Sequence, residues 1–228
     1  MNMTTYLPLY TKGAAGIPAL AIDPACILYL PFWKKDGVSC ISDDKYGHKI
    51  TRSGPISTPK GWYFDGTDDW GEGPNTALFC PDEVSVIVWA NQTAANTNAI
   101  LLCRYNCDWS TFYTGWRLYA HSNSCFDFTY SDGSYPPVFA SSSAVCTQGI
   151  WNMYAITHNR VFGTKYYLNG KYINTVNDTR AMSNYNGPLN LGRYNWFKGT
   201  KGEALMFSRV LSATEMMDYY TLTKGRYL

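Results

Sequence analysis

Apolar and polar positions alternate with a period of two along much of the chain, the spacing of strands that turn one face toward a core. The longest such region is residues 151–176, WNMYAITHNRVFGTKYYLNGKYINTV. Trp151, Met153, Ala155 and Thr157 alternate there with Asn152, Tyr154, Ile156 and His158. Both registers are largely apolar, which predicts a central strand covered on both faces. Residues 159–163 read as a turn. Two shorter strands, 165–168 and 171–176, then flank Asn169-Gly170, a dipeptide that supplies the two positive φ angles of a type I′ hairpin turn.

The same pattern predicts strands at 26–33 (CILYLPFW), 48–52, 61–65, 84–90 (VSVIVWA), 99–105, 116–121, 125–130, 188–194 and 198–209. Between them, 34–47, 53–60, 91–98 and 131–148 are rich in Gly, Pro, Ser and Asn and read as connections. Ser212-Ala-Thr-Glu215 is a capping box. It predicts a short helix from Ser212 to about Leu222 whose Leu211, Met216, Tyr219 and Tyr220 pack on the strands. The first 25 residues hold no periodicity and carry Pro8 and Pro18. The expected division is therefore an N-terminal arm over 1–25 and one domain over 26–228.

A strand opened by Trp151, followed by the hairpin Tyr-Leu-Asn-Gly-Lys, resembles the laminin-G-like, concanavalin A-like lectin/glucanase jelly roll. Three more stretches follow that family's pattern in order: YFDGTDDW (63–70), VSVIVWA (84–90) and LNLGRYNWFKGTKGEALMFSRVLSATEMMDYY (189–220). The resemblance runs over about residues 27–220. It implies an all-β fold, a two-sheet antiparallel jelly-roll sandwich with a short C-terminal helix. For function it implies a choice, because this fold hosts lectins, sugar hydrolases, adhesion modules and virion parts.

The composition narrows that choice. A chain of 228 residues suits one domain of the larger all-β kind. Aromatic residues make up 16%, including 19 Tyr and 8 Trp, and charged residues only 16%. That leaves flat rings beyond the needs of a core. A net charge of +2 gives no electrostatic case for nucleic acid or an anionic membrane. No apolar run approaches the roughly 18 residues of a spanning helix. Lys12 precedes GAAGIPALA, which imitates a signal peptide, but Pro18 and the brevity of the run argue against one. Without a leader, the sequons at Asn2, Asn91 and Asn177 read as chance. The family resemblance points to an extracellular or virion surface rather than the cytoplasm.

Seven cysteines are many for a cytosolic protein and odd for a fully paired one. Cys103, Cys107 and His121 offer a zinc reading that lacks a second short Cys/His pair. Small buried apolar residues describe most of the seven better. A Cys103–Cys107 bridge requires a turn over 104–106. In the Asp65-Gly66-Thr67-Asp68-Asp69 loop, three carboxylates invite calcium. A turn in which Asp65 bonds nearby amides is preferred, so no metal and no cofactor is expected.

Catalysis finds little support. The chain's four Glu (Glu72, Glu83, Glu203, Glu215) form no Glu-x-Asp-x-x-Glu strand, the arrangement of hydrolytic relatives with carboxylates facing across a glycosidic bond. An Asp65/Asp127 pair would have to substitute. His48, His121 and His158 read as structural histidines. Recognition fits better, because sugar C–H faces pack on rings while Asn, Asp and backbone groups take the hydroxyls. Two loop clusters carry that mixture: Asp108, Trp109, Phe112, Tyr113 and Trp116, and Arg193, Tyr194, Asn195, Trp196 and Phe197. Of these, Asp108, Trp109, Tyr113, Trp116, Arg193, Tyr194 and Trp196 are the expected ligand residues. The reading is a non-catalytic module that binds a glycan or a protein surface. The alternatives are a display protein such as a virion decoration or fibre component, assembling through the N-terminal arm, and a glycoside hydrolase or lyase.

Overall fold

Each period-two run becomes a strand whose alternate side chains enter one of two cores. The computed structural model describes residues 23–94, 99–105, 114–121, 126–134, 136–144, 146–193 and 196–228. In chain order the strands are β1 (Cys26–Pro31), β2 (Ser39–Ile41), β3 (Lys49–Ser53), β4 (Ile56–Thr58), β5 (Gly61–Asp65), β6 (Trp70–Glu72), β7 (Val84–Gln92) and β8 (Ala99–Tyr105). They continue with β9 (Thr114–Ala120), β10 (Phe126–Asp132), β11 (Val138–Ser141), β12 (Trp151–Asn159), β13 (Gly163–Leu168), β14 (Lys171–Val176), β15 (Asn190–Leu191) and β16 (Lys198–Phe207). One helix, α1 (Ala213–Tyr227), follows.

The first sheet runs β14-β13-β12-β7-β16-β5-β4, with β1 also on β16. The second runs β11-β10-β9-β8-β15-β6-β3-β2. Every pairing is antiparallel, as the jelly-roll expectation requires. All nine residues of β12 are buried, so the central strand is covered on both faces. Asn169 and Gly170 sit at φ 51° and 78°, the two left-handed angles of the expected I′ turn.

Between the sheets lies the main core. Val84, Val86, Val88 and Ala90 of β7 meet Leu101, Trp116, Leu118, Phe126 and Phe128 of the second sheet there. A bulge between Ile100 and Leu102 turns both Leu101 and Leu102 inward. The other face of the first sheet holds Ile87, Trp89, Trp151, Met153 and Leu205, which pack under Met216, Tyr219 and Tyr227 of α1. Ser212 and Glu215 complete the capping box. Trp89 Nε1 donates to Thr223 Oγ1 at 2.9 Å, and the Trp89 ring stacks on Tyr227 at 4.6 Å. Gly202 makes room for that turn, since a Cβ there would lie 2.2 Å from Tyr227 Cε1.

The helix therefore runs beyond the expected end near Leu222. Gly225 is a poor helix former, but burial of Tyr227 and the contact of Arg226 Nη1 with Glu203 Oε2 at 3.3 Å hold the last turn. Four strands, β2, β4, β6 and β11, lie in stretches read as connections or left unassigned, and β15 shrinks to two residues. The end of the predicted N-terminal arm is tied to the domain, where Asp23 accepts from Arg209 Nη2 at 2.6 Å. The rest of that arm, residues 1–22, lies outside the described residues.

Candidate functional site

The first sheet's outer face is closed by α1; the second sheet's outer face is of different chemistry. Directly opposed residues of antiparallel strands share a face. The registers set one row across the second sheet: Thr51, Glu72, Asn190, Cys103, Arg117, Thr129 and Phe139. Ile100, Tyr119, Asp127 and Ser141 form the next. Their sequence neighbours Trp116, Leu118, Phe126 and Phe128 point into the main core, so these rows point away from it.

At the β6 end the side chains are accessible. Arg193 Nη1 donates to Glu72 Oε2 at 2.8 Å, with the two side chains 36% and 35% exposed. The Arg193 guanidinium lies 4.9 Å from the Trp70 ring. Trp70 is half-buried. Trp70 reaches this position because β6 pairs with β3 and β15.

Toward β9 and β10 the face becomes polar and buried. His121 Nε2 lies 3.0 Å from Asp127 Oδ2. Burial pushes the Asp127 carboxyl up, against the pull of Ser141 and His121. Thr129 Oγ1 donates to the Tyr119 hydroxyl at 3.2 Å. The Arg117 guanidinium sits 4.6 Å from the Tyr119 ring and 5.2 Å from Tyr105. Among the described residues, three buried polar atoms here have no hydrogen-bond partner: Arg117 Nε, Asp127 Oδ1 and Asn190 Oδ1. Native proteins leave few such atoms unsatisfied, and a cluster of them on one face suits a surface completed by water or ligand.

The expected ligand residues divide three ways. Arg193, at the accessible end, and Trp196, in the connection from β15 to β16, are both half-buried. Asp108, Trp109, Tyr113 and Tyr194 lie outside the described residues. Trp116 is a correction: it is fully buried in the main core, and its Nε1 donates to Phe79 O at 2.6 Å. It turns inward because Arg117, next to it on β9, takes the outer face. The sequence reading passed over Trp70, Glu72, Arg117, Tyr119 and Asn190 as site residues. The signal for part of this set was the alternation of Arg117, Tyr119 and His121 with Trp116, Leu118 and Ala120, matched by Asp127 and Thr129 on the next strand.

The remaining candidates fall elsewhere. His158 is buried, its Nδ1 lies 3.1 Å from Thr164 Oγ1, and burial lowers it to about 4. His48 Nε2 lies 3.1 Å from Ile27 O. Asp65, Asp68 and Asp69 bring ligand oxygens within 4.8 Å of one another, so a cation could be held there. Those oxygens also serve the loop itself. The Asp65 amide donates to Asp69 Oδ2, and the Thr67 amide to Asp65 Oδ1, each at 2.7 Å. Burial, with Asp65 and Asp68 alongside, pushes the Asp69 carboxyl up. Asp65 ends a strand of the first sheet and Asp127 belongs to the outer face of the second, so the two do not face each other.

A family model described as the concanavalin A-like lectin/glucanases superfamily matches residues 65–217. Solved structures of similar fold include the binding domain of botulinum neurotoxin serotype G, with a TM-score of 0.67 and 17% identity over 88% of this chain and 51% of that one. Another is the binding domain of botulinum neurotoxin DC in complex with SialylT, with a TM-score of 0.67 and 13% identity over 87% of this chain and 51% of that one. A third is Trypanosoma rangeli sialidase in complex with sialic acid, with a TM-score of 0.67 and 12% identity over 88% of this chain and 33% of that one. The chain thus spans about half or less of these proteins, and the likeness is one of fold. No curated protein matches the sequence.

Proposed function

The chain belongs to the concanavalin A-like lectin/glucanase superfamily, and from that premise we propose that it is a non-catalytic carbohydrate-recognition module that binds saccharide on the outer face of the second sheet. The observation that carries this reading is the contrast between two outer faces. One is apolar and closed by α1. The other presents rings, two arginines and unsatisfied polar atoms in cross-strand rows. Trp70 and Trp196 supply flat apolar surface, while Arg193, Glu72 and Asn190 offer donors and acceptors for hydroxyls. Asp108, Trp109, Tyr113 and Tyr194 belong to the same proposal as loop contributors. That the similar binding domain of neurotoxin DC was solved with SialylT and the sialidase with sialic acid supports a saccharide as the ligand class.

Hydrolysis fits this face poorly. Glycosidases flank the scissile bond with two carboxyl groups roughly 5–10 Å apart. Among the described residues, the carboxylates of this face are Glu72 on β6 and Asp127 on β10. Four strand spacings separate those strands, about 19 Å at the usual distance between neighbours. Glu72 is moreover paired with Arg193 and Asp127 with His121.

The test is a glycan array followed by affinity measurements on Trp70→Ala, Trp196→Ala and Trp109→Ala. Loss of a stacked ring at Trp70 or Trp196 is expected to weaken binding by roughly 1–3 kcal/mol. The melting temperature should change little. An array without binders would favour the display reading, and hydrolysis of a bound saccharide would favour the enzymatic one.

A further inference from the structure

Arg117 lies in the middle of the second sheet's outer face and is only 7% exposed. Its guanidinium stacks on Tyr119 and lies near Tyr105. Among the described residues its Nε has no hydrogen-bond partner and it forms no ion pair. The nearest carboxylate on its face, Asp127, sits on the adjacent strand two residue pairs along. Asp127 Oδ2 is taken by His121 at 3.0 Å, and Asp127 Oδ1 has no partner. A largely buried guanidinium whose Nε lacks an acceptor is costly, and ring faces offset only part of that cost. A water would satisfy the N–H but not the charge. A planar carboxylate or a sulfate ester would satisfy both, because a guanidinium presents parallel donors matched to such groups.

We propose that Arg117 is the anchor for an anionic group of the saccharide, so that the ligand of this face is an acidic sugar bearing a carboxylate or a sulfate ester. The inference rests on the recognition reading and narrows it. With the acid group on Arg117, the same sugar's hydroxyls reach toward Asp127 Oδ1, which is on the diagonal position of the next strand, about 7–8 Å away. The rings of Tyr119 and Tyr105 bound the anchor on either side. Arg193, already bonded to Glu72, is not the anchor.

The experiment uses the full chain, with thermal shift and titration calorimetry against sodium glucuronate, sodium sulfate and glucose at ionic strength matched with sodium chloride. The wild type is compared with Arg117→Lys, Arg117→Gln and Asp127→Asn. Glucuronate, sulfate or both should raise the wild-type melting temperature by a few degrees above the chloride control, through preferential binding to the folded state. Glucose should not. Arg117→Lys, which keeps the charge and loses the fork, should weaken binding about tenfold or more, and Arg117→Gln should abolish it. Asp127→Asn should tighten it. Sulfate's general stabilising action is shared by all variants and cancels in the comparison.

A response to glucuronate alone identifies a carboxylate ligand, and a response to sulfate alone a sulfate ester. Equal shifts in wild type and Arg117→Lys overturn the proposal, even where Arg117→Gln does not fold. Array hits indifferent to acid groups and to Arg117→Lys would sink the anchor and leave the recognition reading intact. An Arg117-dependent shift with an array empty of binders would sink the saccharide and leave an anion site.

Discussion

Lys201 occupies a strand position whose neighbours are apolar, and its side chain crosses the main core. Its Nζ donates at 2.9 Å to the carbonyl of Ile100, beside the β8 bulge, between the rings of Phe64 at 4.4 Å and Phe197 at 4.7 Å. Complete burial lowers it to about 7. The unfolded chain keeps the ordinary value of about 10.4 and so binds more protons between those limits. Stability should therefore rise as pH rises from about 7 to about 10.5, by on the order of 4 kcal/mol for this group. Urea unfolding of wild type and Lys201→Met across that range checks it. The expected outcome is a wild type that gains on the variant toward high pH; parallel curves would mean that Lys201 stays protonated in the folded state. Composition offers no hint of this residue, because a lysine in a strand usually marks solvent.

Single-residue legibility was uneven for the same reason elsewhere. Trp116 and Trp70 look alike in the sequence, each beside a strand end in mixed company. Only the pairing of β9 with β8 and of β6 with β15 decides that one turns inward and the other outward. Those partners lie far away along the chain.

At the scale of elements, local chemistry was the legible part. The hairpin at Asn169-Gly170 and the capping box at Ser212 depend on neighbouring residues, and both formed as read. The turn also packs on α1: a Cβ on Gly170 would lie 2.8 Å from Tyr220 Cβ and 3.0 Å from Met217 Cα. Gly170→Val should thus meet both a left-handed φ and a steric overlap, costing about 2 kcal/mol or more. In a chain of this size that lowers the melting temperature by at least about 4 °C, and an unchanged value would refute the account of the turn. The three-residue strands β4 and β6 were illegible because so short a segment has little preference of its own. They exist through pairing with β5, β3 and β15. Likewise, the last turn of α1 depends on Trp89 and Trp151 beneath Tyr227, far away in sequence.

For the whole molecule, the fold was legible because several weak patterns occur in a fixed order, and both sheets and the helix follow from them. The proposed ligand face was only partly legible. The sequence reading looked to loop aromatics, whereas the described residues add a sheet surface assembled from β6, β15, β8, β9 and β10. No local pattern reveals that Glu72, Asn190 and Arg117 share one row. The central claim is that this face, and not the loop ends alone or the helix-covered sheet, meets the ligand. The most direct test is the indole N–H spectrum of the full chain, assigned by Trp→Phe substitution and titrated with the saccharide that the array selects. Trp70 and Trp196 should shift with saturable dependence on ligand, while Trp62, Trp89 and Trp116, fully buried in the two cores, stay in place. Shifts confined to Trp89 and Trp151 under α1, with Trp70 and Trp196 unmoved, would contradict it.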